Sequence, residues 1–179
     1  MARCPRRARW PWWTVPAMLS VAVDLASTAW ARAYLSPAHP SAFIGGLVEL
    51  RLVANHGAAF GLGSGRETLV ETAAAALLAV LLVVARTQPP LVSAGLGTAL
   101  GGGLGNLLVR LTGPEGPLRS PVVDWIHVSF YPETFNLADV AIRAGLLAAA
   151  VALLANQTRR RAEPTTQYRA RTGTSAGKS

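Results

Sequence analysis

Four apolar runs, each about as long as a bilayer's hydrocarbon core is thick, constrain this chain more than any other feature. They are Trp10 to Ala31, Thr68 to Ala85, Leu91 to Val109 and Leu137 to Leu154. At a rise of about 1.5 Å per residue such runs reach about 27 to 33 Å, enough to cross the core. In lipid every backbone N–H and C=O must be paired inside the segment, so each run is predicted to be a transmembrane helix. Composition agrees: 51% of the 179 residues are hydrophobic and 15% charged, against roughly a quarter charged in ordinary globular domains. The length suffices for one domain.

The net charge of +8 invites a nucleic-acid reading, but its distribution argues against one. Arg3, Arg6, Arg7 and Arg9 precede the first run, and Arg159, Arg160, Arg161, Arg169, Arg171 and Lys178 follow the last. Basic residues flanking apolar spans are topology signals that stay cytoplasmic. Nucleic acid is therefore not an expected partner, whereas membrane lipids are. Gln88-Pro89-Pro90, beside Arg86, makes a tight turn between the second and third spans on the same side. Both termini are then cytoplasmic, and residues 32–67 and 110–136 face outward. The first run, with its arginines and Ala29-Trp30-Ala31, also imitates a cleaved leader; Asp24 inside it and the three spans that follow favour a retained helix.

The first outward segment has Phe43, Val48, Leu50 and Leu52 at partly alternating positions, which predicts short strands. The second carries the turn signals Gly113-Pro114, Gly116-Pro117 and Pro121. Trp10, Trp12, Trp13 and Trp125 are expected to form an interfacial aromatic belt. Residues 1–157 are read as one polytopic membrane domain and 158–179 as a basic, disordered cytoplasmic tail.

Acids inside such a chain are costly, since a charged residue at the centre of a span costs roughly 2.5 to 3.5 kcal/mol on insertion scales. Asp24 and Asp139 lie in spans, and Asp124 sits in the apolar string Val122-Val123-Asp124-Trp125-Ile126. Asp24, mid-span, is expected to hydrogen-bond a neighbouring helix. Asp124 and Asp139 suit chemistry. Two neighbouring carboxyls cannot both ionise cheaply, so one can take a proton from water while the other gives one to a peptide carbonyl. Asn136 precedes Asp139 by three residues, on a similar helix face. Gly102, Asn106 and Arg110 share a face of the third span, and the glycines around them permit either close helix packing or approach of a substrate. Asn55-His56-Gly57-Ala58-Ala59-Phe60-Gly61 reads as a turn before the second span. With Cys4 as the sole cysteine and scattered histidines, no disulfide, metal site or cofactor is expected.

From Asp24 to Gly145 these residues resemble the lipoprotein signal peptidases (signal peptidase II). Asn55 to Gly61 is similar to that family's Asn-x-Gly-x-Ala-Phe element, and Gly102 to Arg110 to its Gly-Gly-x-x-Gly-Asn-x-x-Asp-Arg element. Val123-Asp124-Trp125-Ile126 and Phe135-Asn136-Leu137-Ala138-Asp139 resemble the two blocks that bear its catalytic aspartates. The resemblance implies an all-α membrane fold of four transmembrane helices with a small extracytoplasmic β-cradle and an interfacial loop or helix. It implies an aspartic endopeptidase of the bacterial inner membrane, acting as a monomer on diacylglyceryl-modified prolipoproteins, with Asp124 and Asp139 catalytic. Asn55, Gly57, Asn106, Arg110, Asn136 and Asp24 are carried over as supporting residues. The chain departs from the family pattern at Val109, where the family has an acid, and at Leu25 and Thr28, where it has polar residues. Arg143, four residues after Asp139, is spaced for an ion pair that would oppose proton donation. These departures motivate a competing reading, a weakened or inactive paralogue that binds signal peptides without cutting them. Retention of both aspartates opposes it. A proton-coupled carrier is a third reading, disfavoured by four short spans without an evident repeat.

Overall fold

The structure, a computed structural model, describes residues 11–56 and 67–162. Four helices form: α1 (Thr14–Tyr34), α2 (Glu67–Thr87), α3 (Pro90–Thr112) and α4 (Leu137–Ala162). Each contains a stretch long and apolar enough to cross a membrane. Pro89 and Pro90 set the start of α3, where the missing proline N–H costs nothing because the first turn has no intrahelical acceptor. The fourth helix runs beyond the boundary drawn at residue 157, so residues 158–162 are helical.

The third helix is the hub, and its glycines explain why. Half of its membrane window is buried, against 22% or less for the others. Gly97, Gly101 and Gly105 face α1: a Cβ would meet Trp13 backbone at Gly97, Ala17 backbone at Gly101, and Asp24 Oδ2 at 2.8 Å at Gly105. Gly95 and Gly102 face α4, against Gly145, Ala149 and Ala138, while Gly103 faces Leu78 of α2. Small residues let backbones approach where lipid supplies no hydrophobic drive between helices. The packing reading of these glycines is the one the structure bears out. Large side chains such as Met18, Leu19, Val80, Val83, Leu147 and Leu154 remain exposed on the outer helix faces, as lipid-facing positions require.

One end of the bundle carries an antiparallel sheet in the order β1 (Ser41–Phe43), β2 (Val48–Asn55), β3 (Val122–Val128) and β4 (Thr134–Phe135). Gly45 and Gly46 take positive φ (63° and 83°) to turn the chain between β1 and β2. A register shift between Leu50 and Val53 resets the β2–β3 pairing, so that Val53 lies opposite Asp124 and Asn55 opposite Val122. Residues 113–121, which connect α3 to β3, are mostly turns and bends, and they fold back through the Leu118 N–H bond to the Arg110 carbonyl (2.9 Å). Arg51 donates to Thr134 Oγ1 (2.9 and 3.1 Å) and to His127 Nδ1 (3.0 Å), tying β2, β3 and β4 together. Trp125 does not join an interfacial belt. It is 8% exposed and meets the Trp30 ring of α1 edge-on at 5.6 Å, anchoring the sheet to the bundle.

Candidate active site

Strand β3, between β2 and β4, lies against α1 and α3, and β4 runs directly into α4, so Asp124 and the start of α4 are brought together by short connections. The chain passes from Phe135 through Asn136 to Leu137, the first residue of α4. Asn136 is 1% exposed and closes that helix end. Its Oδ1 accepts the Asp139 N–H (2.9 Å), while its own N–H reaches Asp139 Oδ2 (3.4 Å), a reciprocal capping box. Its Nδ2 donates both to Asp124 Oδ1 and to Asn106 Oδ1 (3.0 Å each). One side-chain amide therefore links the strand-borne acid to the helix-borne acid.

The remaining supports come from three other elements. Asn55 of β2 lies diagonally across the ladder from Asp124, and its Nδ2 donates to Asp124 Oδ2 (2.9 Å). Asn106 of α3 donates to Asp139 Oδ1 (3.2 Å). Asp24 of α1, 2% exposed, accepts the Ala138 N–H (2.9 Å) through Oδ1. It thus satisfies a second first-turn donor of α4, the inter-helix bond expected of a mid-span acid, in the room that Gly105 leaves beside it. Arg110 of α3 forms an ion pair with Glu71 of α2, Nε to Oε1 at 2.8 Å.

All of these groups except Asn136 and Asp24 line one cavity of about 420 Å³. Its polar end holds Asn55, Asp124, Asp139, Asn106, Arg110 and Glu71, and its apolar wall is built from Leu77, Leu78, Leu81, Ile142 and Leu146. Burial is the largest influence on Asp124, which is 3% exposed, and pushes its carboxyl up to about 7. The Asn55 hydrogen bond pulls the other way, Asp139 pushes up, Arg110 pulls down, and Asp24 pushes up. Such a carboxyl exchanges its proton near neutrality. Among the described residues no three His, Cys, Asp or Glu side chains are arranged to hold a metal ion.

The structure thus brings Asp124, Asp139, Asn55, Asn106 and Asn136 into one hydrogen-bonded network, with Asp24 and Arg110 at its margin. Gly57 lies outside the described residues. The departures at Leu25 and Arg143 do not disturb the network: Leu25 is 40% exposed on the outside of α1. Arg143 lies over the rings of Tyr131 (5.7 Å) and Phe135 (5.8 Å), a cation–π arrangement in place of an ion pair with Asp139. Glu71 is not among the candidate residues read from the sequence. Its signal was a carboxylate inside an apolar run, which needs a counter-charge from another helix.

Four membrane-length helices, with a cavity that α2, α3 and α4 line beside two bridged carboxyls, define a polytopic membrane protein. Residues 16–155 match the family described as signal peptidase (SPase) II, and the chain belongs to that family. A lipoprotein signal peptidase of Rhodococcus jostii (strain RHA1) is 38% identical over 128 residues, 71% of this chain and 64% of the relative's length. One from Mycobacterium tuberculosis (strain ATCC 25618 / H37Rv) is 36% identical over 149 residues, 80% of this chain and 70% of the relative. A bacterial membrane enzyme solved by the in meso method at 2.3 Å resolution has the same fold, with a TM-score of 0.68 at 23% identity over 81% of this chain and 88% of that one.

Proposed function

We propose that this chain is an aspartic endopeptidase that removes signal peptides from diacylglyceryl-modified prolipoproteins in a bacterial inner membrane, with Asp124 and Asp139 as the catalytic pair. The observation that carries the reading is the Asn136 amide, which bonds Asp124 while capping the turn that bears Asp139, at the polar end of a cavity with an apolar wall. Asp124, with its carboxyl near neutrality, is the proton donor; Asp139 is the base. Water loses a proton to Asp139 as its oxygen bonds to the scissile carbonyl carbon, and Asp124 protonates the carbonyl oxygen, giving a neutral diol. Collapse of the diol breaks the C–N bond. Asp139 then gives its proton to the leaving nitrogen and Asp124 recovers one from a hydroxyl, so both carboxyls return to their starting states. The leucines of the apolar wall receive the hydrophobic part of the signal peptide. Asn55, Asn106 and Asn136 orient the pair, Asp24 holds the start of α4, and Gly57 belongs to the supporting set. The reading takes the chain as a monomer that supplies both carboxyls of the pair.

The test is processing of a lipid-modified precursor by purified protein in lipid. Asp124→Asn and Asp139→Asn are each expected to lose about 10²- to 10⁴-fold in rate, the usual worth of a positioned acid or base, while remaining folded. Normal processing by either variant sinks the proposal.

A further inference from the structure

Resting on that reading of the catalytic pair, we propose that Glu71 is a positioning residue for the reaction, holding the guanidinium of Arg110 in the wall of the cavity. Glu71 sits near the start of α2 and Arg110 near the end of α3, so the pair joins two helices at the polar end of the cavity. Their side chains are 5% and 9% exposed, and Glu71 Oε1 meets Arg110 Nε at 2.8 Å. A bond at Nε fixes the plane of a guanidinium and hence the direction of its terminal amino groups. The position before Arg110 is Val109, which offers no charge, so the counter-charge comes from a different helix.

A buried ion pair is a poor device for stability alone. Desolvation offsets much of the attraction, and apolar side chains of similar volume serve packing as well or better. The surroundings of this pair point instead to the site. Both residues line the cavity together with Asn55, Asp124 and Asp139. The charge of Arg110 is felt at the Asp124 carboxyl, where it favours the ionised form against burial. Glu71 therefore sets where a cation stands relative to the reacting carboxyl and to the peptide that enters beside it. It touches neither acid in any described contact, and its effect passes through Arg110.

The experiment uses the full chain in lipid vesicles with a lipid-modified precursor peptide, measuring kcat, KM and melting temperature. Glu71→Gln keeps the shape and removes the charge. It is expected to lower kcat roughly ten- to hundredfold, the scale of a small misplacement in an active site, with the melting temperature little changed. Arg110→Lys is expected to lower kcat comparably. Glu71→Gln added to Arg110→Lys should cost nothing more, because both changes break the same link. Glu71→Asp, which retains the charge, should recover part of the loss. Wild-type kcat in Glu71→Gln, losses that multiply in the double variant, or an equal loss in Gln and Asp variants overturns the proposal. Should Glu71→Gln not fold, the same cycle is run with Glu71→Asp. Asp139→Asn serves as control: if it cleaves normally the catalytic pair is wrong, whereas its inactivity beside a fully active Glu71→Gln sinks only the role of Glu71.

Discussion

The Asp124 carboxyl sits among opposing influences, and their signs make the pH dependence of the reaction testable. Burial drives its pKa to about 7, well above the ordinary carboxylate range, and the Asn55 amide restrains the rise by stabilising the anion. In its proposed role of proton donor Asp124 works only when protonated, so activity should hold below about 7 and fall about tenfold per pH unit above it. Asn55→Ala removes a donor that favours the carboxylate. The pKa must then rise further, and the basic limb should move to higher pH even though the maximal rate falls. A pH–rate profile of both proteins decides the matter, and a limb that moves to lower pH would contradict the assignment. At this scale much of the site was legible in the chain, because an acid in an apolar run announces its cost: Asp24, Asp124 and Asp139 all stood out. Glu71 did not, because it lies near the start of its span, where a solvated carboxylate is unremarkable. Its partner comes from another helix, and no residue spacing reveals that pair.

At the scale of elements, the glycines of α3 divide into faces whose consequences differ. At Gly101 a Cβ would fall on the Ala17 carbonyl and 2.8 Å from its Cα, so backbone itself blocks the added atom. At Gly103 it would meet the Leu78 Cδ2 at 2.5 Å, the far end of a flexible side chain. Alanine exceeds glycine in helix propensity by about 0.8 to 1.0 kcal/mol, while overpacking a rigid contact costs about 1 to 3 kcal/mol. Gly101→Ala is therefore expected to lower the melting temperature in detergent, and Gly103→Ala to leave it unchanged or raise it slightly. Equal effects at the two positions would mean that α1 and α3 are not packed as described. The sequence pattern located the four helices within a few residues at most ends, since hydropathy at membrane length is a strong signal. It left open whether the glycine run served packing or a substrate, because three faces of one helix read alike in a linear chain. Residue alternation foretold short strands only around Phe43 to Leu52, and the β-cradle came from the family resemblance; the register depends on the shift between Leu50 and Val53, which no local pattern marks.

For the whole molecule, the helices alternate so that Thr14, Thr87, Pro90 and Ala162 lie at one end of the bundle, and the sheet, the capped start of α4 and the cavity's polar groups lie at the other. In the sequence most of the 17 Lys and Arg residues precede α1, stand at Arg86 beside the α2–α3 turn, or follow from Arg159 onward. At the second end Arg110 is committed to Glu71 and Arg51 to the sheet, so they mark internal structure more than a cytoplasmic face. From the bias of basic residues we propose that the first end is cytoplasmic and that the paired carboxyls open to the outer face. A precursor threaded outward would meet them only after its apolar segment had entered the bilayer. In a Cys4→Ser background, Pro114→Cys in the connection after α3 should react with a membrane-impermeant thiol reagent on intact cells. Thr87→Cys, at the turn between α2 and α3, should react only once the cytoplasmic membrane is permeabilised. The opposite labelling would put Asp124 and Asp139 on the cytoplasmic side, where the signal peptide of an exported precursor no longer presents its cleavage point, and the proposed substrate would have to be abandoned even with the carboxyl pair intact.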